Sequence, residues 1–275
     1  MNGQIIKIMS DLHFVSYHNE IYACKCRGIF RKEKILPLVG DYVEFDIEKK
    51  LITKILPRRN SFQRPSVANI DQAILVISLK TPDFSLNLLD KFISLMEIND
   101  VDVVICITKS DLVSEIELER IKDILSYYED LSYTVIYNTE IARLKELLKG
   151  KTSVFTGQTG AGKSTLLNKL DSTLKLQTGE VSKALGRGKH TTRVVELFEL
   201  FGGKVLDTPG FSSLELTNYG VDKIRDSFIE FKRYPCIYKD CLHKNEKECL
   251  VKKAVDDNNI MKSRYDNYLK FIERK

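Results

Sequence analysis

One segment, Gly157-Gln-Thr-Gly-Ala-Gly-Lys-Ser164, restricts this chain more than any other. It has the spacing GxxxxGK[ST], it follows the strand-like run Thr152–Thr156, and it opens a helical stretch, Lys163–Leu170. Glycines there let the backbone wrap a phosphate without Cβ clashes, and free amides at the helix start point at the anion. Lys163 is placed to reach the β and γ phosphates, and the Ser164 hydroxyl to bind magnesium. Gly157, Gln158, Thr159, Gly160, Ala161, Gly162, Lys163, Ser164 and Thr165 are therefore read as nucleotide-binding. A glycine-rich turn that merely starts a helix is the competing reading.

The base is chosen elsewhere. Thr108-Lys109-Ser110-Asp111 follows the strand-like run Asp102–Ile107. A carboxylate at Asp111 can accept the N1 and 2-amino protons of guanine, which adenine does not offer, so a buried Asp111 would be left unpaired by the wrong base. GTP is the expected nucleotide, with Thr108 and Lys109 beside it, although a Lys-x-Asp after a strand can also simply cap a helix. Downstream, Lys204-Val-Leu-Asp207-Thr-Pro-Gly210 reads as a strand ending in an acid: Asp207 to hold magnesium through water, the Gly210 amide to meet the γ-phosphate. The same tetrapeptide is good turn chemistry. Between these lies the basic segment Gly186-Arg-Gly-Lys-His190-Thr191-Thr192-Arg193, suited to a switch loop, with Thr192 the favoured magnesium ligand when a γ-phosphate is present. A solvated surface loop is the alternative. The base-reader precedes the phosphate loop by more than forty residues, the reverse of the ordinary order, which implies a circularly permuted chain.

The flanks differ from this middle. With 275 residues and 43% hydrophobic content the chain is long enough for two or three compact units. Up to about Arg64 the runs Gln4–Met9, Ile21–Cys26, Asp41–Ile47 and Leu51–Leu56 alternate as strands of a small barrel. Pro57–Pro65, with two prolines and three arginines, reads as a linker. Then buried-type strands (Ala73–Leu79, Asp102–Ile107, Tyr133–Tyr137, Thr152–Thr156, Lys204–Leu206) alternate with helical stretches (Ser85–Glu97, Ser114–Tyr128, Lys163–Leu170), as in a parallel α/β sheet. Helices follow Thr217, ending in a charged one near Ile260–Arg274. Overall net charge is +5, distributed as +5 over residues 1–66, −4 over 67–215 and +4 over 216–275. Lys25, Arg27, Arg31, Lys32 and Lys34, with Tyr22 and Phe30, offer charge and stacking for RNA; a solvated strand surface is the plainer reading. No run approaches the ~20 apolar residues that span a bilayer, and no secretory signal is visible, so a soluble cytoplasmic protein is expected.

Of six cysteines, three crowd together: Cys236-x4-Cys241-x-His243-x5-Cys249 supplies three thiolates and an imidazole, the ligand set of a closed structural zinc site. A disulfide would leave one thiol over and needs an oxidising compartment. Cys24, Cys26 and Cys106 are expected in cores, with His13 and His18 near the first two.

Taken in this order the residues closely resemble the circularly permuted, ribosome-small-subunit-dependent GTPases (RsgA/YjeQ). The carriers are Arg64-Pro-Ser-Val-Ala-Asn-Ile-Asp-Gln72, Gly157–Ser164, Leu185–Arg193, Asp207-Thr-Pro-Gly-Phe-Ser-Ser213 and the cysteine loop, which together span nearly the whole chain. The resemblance implies a multidomain chain: an all-β OB-fold RNA-binding barrel (1–66), a circularly permuted α/β P-loop GTPase domain (67–215) and a small, mainly α zinc-binding domain (216–275). It implies a GTP hydrolase, a monomer needing magnesium and one structural zinc, that meets the small ribosomal subunit and its rRNA late in maturation. Two departures stand out. Thr108 replaces the usual Asn, whose amide helps tie base loop to phosphate loop, so weaker guanine affinity is expected; and the loop around Asn138-Thr-Glu140 departs from the usual Ser-Ala form. Phe211 stands where many GTPases carry a water-orienting glutamine, so His190 is taken by analogy as the water-positioning group beside Lys163 and Gly210, the other catalytic candidates; a solvated or RNA-facing His190 is the alternative. A nucleotide-dependent RNA scaffold with negligible turnover and an ATP-dependent P-loop enzyme are the competing classes.

Overall fold

The computed structural model describes residues 1–28, 30, 35–63, 65–171, 195–207 and 215–273. His190, Thr192, Gly210 and Phe211 lie outside the described residues, as do Arg31, Lys32 and Lys34.

Five strands come first: β1 (Asn2–Met9), β2 (Leu12–Tyr17), β3 (Glu20–Cys26), β4 (Tyr42–Asp46) and β5 (Leu51–Ile55). They pair in the order β1-β2-β3-β5-β4, and β4 returns to β1, closing a barrel with the connectivity of an OB fold. Every pairing is antiparallel except β3 with β5. Inward residues from all five strands build the core: Ile5, Val15, Cys24, Val43, Phe45 and Ile52, joined by Phe30. Phe30 is thus a core residue, 6% exposed, and not the RNA-stacking group the sequence suggested. Strand β2 was not foreseen, because its inward positions alternate polar His13 with Val15 and so hide the apolar period. Asp41 is fully buried, accepting from the Leu38 amide and from the Arg58 guanidinium at 2.7 Å. That pair, and a small antiparallel hairpin of β6 (Ser61–Gln63) and β7 (Ser66–Ala68), overturn the linker reading of Pro57–Pro65.

The α/β portion continues with β8 (Gln72–Ser78), α1 (Leu86–Ile98), β9 (Asp102–Thr108), α2 (Glu115–Asp130), β10 (Thr134–Tyr137), α3 (Ile141–Leu148), β11 (Thr152–Thr156), α4 (Lys163–Leu170), β12 (Glu196–Leu200) and β13 (Gly203–Asp207). Ser85 and Ser114 cap α1 and α2 by accepting the Leu88 and Glu117 amides, and Glu115 and Glu117 complement the dipole of α2. Strands β8 and β11 are buried along their whole length, as a parallel sheet covered on both faces requires. The pairs β9–β10 and β11–β13 are parallel, but β12 runs antiparallel to β13, a departure from the all-parallel expectation. Three helices close the chain: α5 (Val221–Asp226), α6 (Leu250–Asp256) and α7 (Lys262–Glu273). No described helix is long and apolar enough to cross a membrane.

The described residues form two compact units, one within Met1–Ile74, Thr139–Thr156 and Gly162–Ser212, the other within Leu75–Asn138, Gly157–Ala161 and Ser213–Lys275. In the first, strand order runs β11-β13-β12-β1, so the barrel continues the β12–β13 hairpin. Lys7 lies opposite Glu196 in that pairing and bonds its carboxylate at 2.7 Å, while Lys204 donates to Gln4 Oε1 at 2.6 Å. In the second, α7 buries Arg264 completely. Its guanidinium donates to Asp90 of α1 at 2.7 Å and to Glu230; Tyr128 and Asn267 also donate to Asp90. Burying these charges is tolerable because each carboxylate is both paired and hydrogen-bonded. Phe228 stacks on Phe231, Tyr268 meets both edge-on, and Tyr265 lies tilted against Tyr268.

Candidate nucleotide and metal sites

The phosphate loop leaves β11 at Gly157, where φ is 143° and a Cβ would fall 2.1 Å from Val76 O. Only glycine fits this close approach to β8. Gly160 and Gly162 also take positive φ, 81° and 97°, and Gly162 precedes α4. Within the loop Ala161 is fully buried and donates its amide to Gln158 O. Ser164 is buried at the start of α4, whereas Thr159 and Thr165 are exposed. Burial pulls the Lys163 ammonium down to about 8, because the charged form loses water there. An anion bound at the loop would favour the charged form again. The phosphate-loop signature thus has the local geometry that its spacing implied.

The tetrapeptide Thr108–Asp111 sits at the end of β9. Thr108 is 2% exposed; its main-chain oxygen accepts from the Leu79 amide and its hydroxyl donates to Ala161 O at 2.6 Å. Lys109 adopts a left-handed backbone, φ 58°, and its ammonium donates to Gly160 O at 2.8 Å and to Thr81 O. Two successive residues therefore grip two successive carbonyls of the phosphate loop. The tie expected of an asparagine is made here by a threonine hydroxyl. Asp111 is exposed in the turn Ser110–Leu112, so a base would have to desolvate it. In the segment Asn138-Thr-Glu140, the Asn138 amide donates to Ile107 O and Glu140 pairs with Arg143. Asp207 closes β13, opposite Glu196 of β12.

The cysteine loop brings its four ligands together. The Cys236, Cys241, His243 and Cys249 donor atoms lie within 4.8 Å of one another, the one such grouping among the described residues. Cys236 and Cys249 sulfurs are 3.6 Å apart, Cys241 and Cys249 3.8 Å, and His243 Nδ1 is 3.3 Å from the Cys249 sulfur. Tetrahedral Zn–S bonds of ~2.3 Å would put sulfurs roughly 3.8 Å apart, so the donor set and spacing fit a metal ion. A disulfide needs about 2.05 Å, and all six cysteines are free. From α7, Tyr265 donates to His243 O at 2.6 Å and Tyr268 to Leu242 O. Glu246 accepts the Leu242 and Lys244 amides, and Phe231 meets the His243 ring edge-on. Cys24 and Cys106 are buried as expected; Cys26 is half-buried, 3.6 Å from His13 Nδ1.

A phosphate loop fastened to the Thr108–Asp111 turn that comes earlier in the chain, in a fold matching a solved circularly permuted GTPase, defines a circularly permuted P-loop GTPase. The family is narrower: this chain belongs to the RsgA GTPase family, matching the RsgA GTPase over residues 55–217 and the RsgA N-terminal domain over residues 2–53. The small ribosomal subunit biogenesis GTPase RsgA 2 of Listeria monocytogenes is 47% identical, over 99% of this chain and 97% of that protein. The RsgA of Latilactobacillus sakei is 46% identical, over 98% and 94%. Among solved structures, YjeQ from Thermotoga maritima matches with a TM-score of 0.87 at 36% identity, covering 99% of this chain and 97% of that one. YloQ, described as a circularly permuted GTPase, matches at 0.83 and 37%, covering 99% and 93%.

Proposed function

We propose that this chain hydrolyses GTP while bound to the small ribosomal subunit and so assists a late step of its maturation in the cytoplasm. The observation that supports this most is the grip of Thr108 and Lys109 on the phosphate loop, as expected if the turn they begin reads the base of a nucleotide whose phosphates that loop holds. In this reading the amides of Gly157–Thr165 hold the phosphates, Lys163 neutralises the β and γ oxygens, and Asp111 accepts two guanine protons. Ser164, Asp207 and Thr192 would hold magnesium, which when bound supplies charge neutralisation between the phosphates. The Gly210 amide meets the γ-phosphate and His190 orients the attacking water. Cys236, Cys241, His243 and Cys249 hold one zinc ion that organises the C-terminal segment. The barrel (1–66) and the C-terminal domain (216–275), both net positive and flanking the GTPase domain (67–215) in sequence, each bind rRNA, and the protein acts as a monomer. GTP orders the switch and favours docking; hydrolysis releases it.

Phosphate release from GTP and from ATP, with and without purified small subunits, tests the reading. GTP-selective turnover raised by subunits is expected. Turnover that subunits leave unchanged would point to a scaffold, and equal use of ATP to another class of P-loop enzyme. His190→Ala should abolish the stimulation while nucleotide binding persists.

A further inference from the structure

Accepting the proposal above that small subunits stimulate GTP turnover, we infer that Lys7 of the barrel is a positioning residue for that reaction: through its ion pair with Glu196 it couples RNA binding on the barrel to the nucleotide site. Strand β1 changes partner along one edge. Over Asn2–Gln4 it pairs with β4, inside the barrel, and at Lys7 it pairs with Glu196 of β12. On its other edge the register against β2 slips between these stretches, Ile5 lying opposite Val15 and Lys7 opposite Phe14, so Ile6 is the extra residue of a bulge. A bulge bends its strand and re-aims the side chains beyond it. Here it marks the point where β1 leaves β4 for β12. Lys7 Nζ then lies 2.7 Å from the Glu196 carboxylate, with each side chain only 27% exposed, so salt screens this pair less than a fully exposed one.

The position of Glu196 gives the pair its reach. Strands β12 and β13 form a hairpin whose turn is Phe201-Gly202, and Glu196 stands opposite Asp207 at its open end. In sequence Thr192 lies four positions before Glu196 and Gly210 three after Asp207, so both segments expected to meet the γ-phosphate leave the hairpin at this end. Two acidic residues opposite each other across a ladder repel, and Lys7 neutralises one of them. A second side chain of β1 reaches the other strand. Gln4, 2% exposed, donates to Gly40 O of the barrel at 3.1 Å and accepts from Lys204 of β13 at 2.6 Å. The barrel thus holds β12 through Lys7 and β13 through Gln4. The joint is also short: β12 meets β13 from Glu196 through Leu200, but meets β1 only at Glu196. It can be reset without unpairing either neighbour. A ligand on the barrel that favours one setting of this joint favours it equally at the open end of the hairpin, and a nucleotide does the reverse.

The distinguishing measurement is the ratio of the chain's affinities for purified small subunits with a non-hydrolysable GTP analogue and with GDP. Lys7→Met removes the charge and keeps an apolar stem. It should lower that ratio by about fivefold or more, lower subunit-stimulated turnover as well, and leave turnover without subunits within about twofold of the parent. Glu196→Gln should do the same, and the double variant no more than either, since both act through one contact. Lys7→Arg keeps the pair and should keep the ratio. An unchanged ratio in Lys7→Met and Glu196→Gln would overturn the inference. So would an affinity lost equally with both nucleotides, the mark of a plain phosphate contact, or losses that add in the double variant. If Lys7→Met does not fold, the ratio in Glu196→Gln decides alone. A parent whose ratio is one and whose turnover subunits leave unchanged would instead defeat the reading above, and so is separable.

Discussion

The barrel and the cysteine loop reach a defined structure by opposite routes. In the barrel every strand contributes inward apolar side chains, and ladder hydrogen bonds close on themselves. The loop 236–249 has neither helix nor strand, and its largest apolar residues, Ile237 and Tyr238, are 74% and 62% exposed. Its order comes from two tyrosine hydroxyls of α7 and, on the proposed reading, from four side chains converging on one zinc ion. One region is held by area removed from water, the other by a few directional bonds. Their responses to perturbation should differ accordingly.

The largest separation is expected on metal removal. Chelation should unfold the loop 236–249 and loosen α7 while the barrel keeps its amide protection, because structural zinc supplies ~10–16 kcal/mol of apparent folding free energy in small peptides. Hydrogen exchange resolves the two regions, and a barrel lost together with the loop would break the contrast. Next comes Arg264→Met. It strands Asp90 and Glu230 as buried charges and should cost ~3–5 kcal/mol in denaturant unfolding of the C-terminal region. A cost below ~1 kcal/mol would mean those carboxylates find other partners. In the barrel, Ile52→Val should cost only ~1 kcal/mol and leave bound zinc per chain unaltered, as measured by urea titration and metal analysis. Smallest of all is Lys54→Ala on the barrel surface. Lys54 lies opposite Glu44 across β4 and β5, 3.4 Å away and exposed, so a shift of less than ~1 kcal/mol is expected.

The same contrast explains what could be read from sequence. Signals confined to a short stretch were legible: the glycine-rich turn between β11 and α4, and the clustering of Cys236, Cys241, His243 and Cys249 within fourteen residues. Strands β8 and β11 announced themselves as continuous apolar runs. Short or mixed elements did not. Helix α3 spans two turns with only Leu144 and Leu148 inward, and β12 hides Leu197 between glutamates. Partnerships across the chain were illegible in principle. Arg264 reads as one more cation on a charged helix, and only the fold brings Asp90, 174 positions away, to meet it. Phe30 erred the other way: surrounded by Lys and Arg in sequence, it resembled a stacking group, yet it is part of the barrel core.

The pairing of β1 with β12 has a consequence for solubility. Within its unit β12 lies between β13 and β1, which meets it at Glu196 opposite Lys7, so the barrel covers part of an edge that would otherwise be open. A chain cut after β5 and lacking the barrel would present β12 as a bare edge, with Glu196 deprived of Lys7. Uncovered edges recruit strands from other molecules. The barrel thereby shields the hairpin it extends, and the shortened chain should self-associate more readily than the whole one.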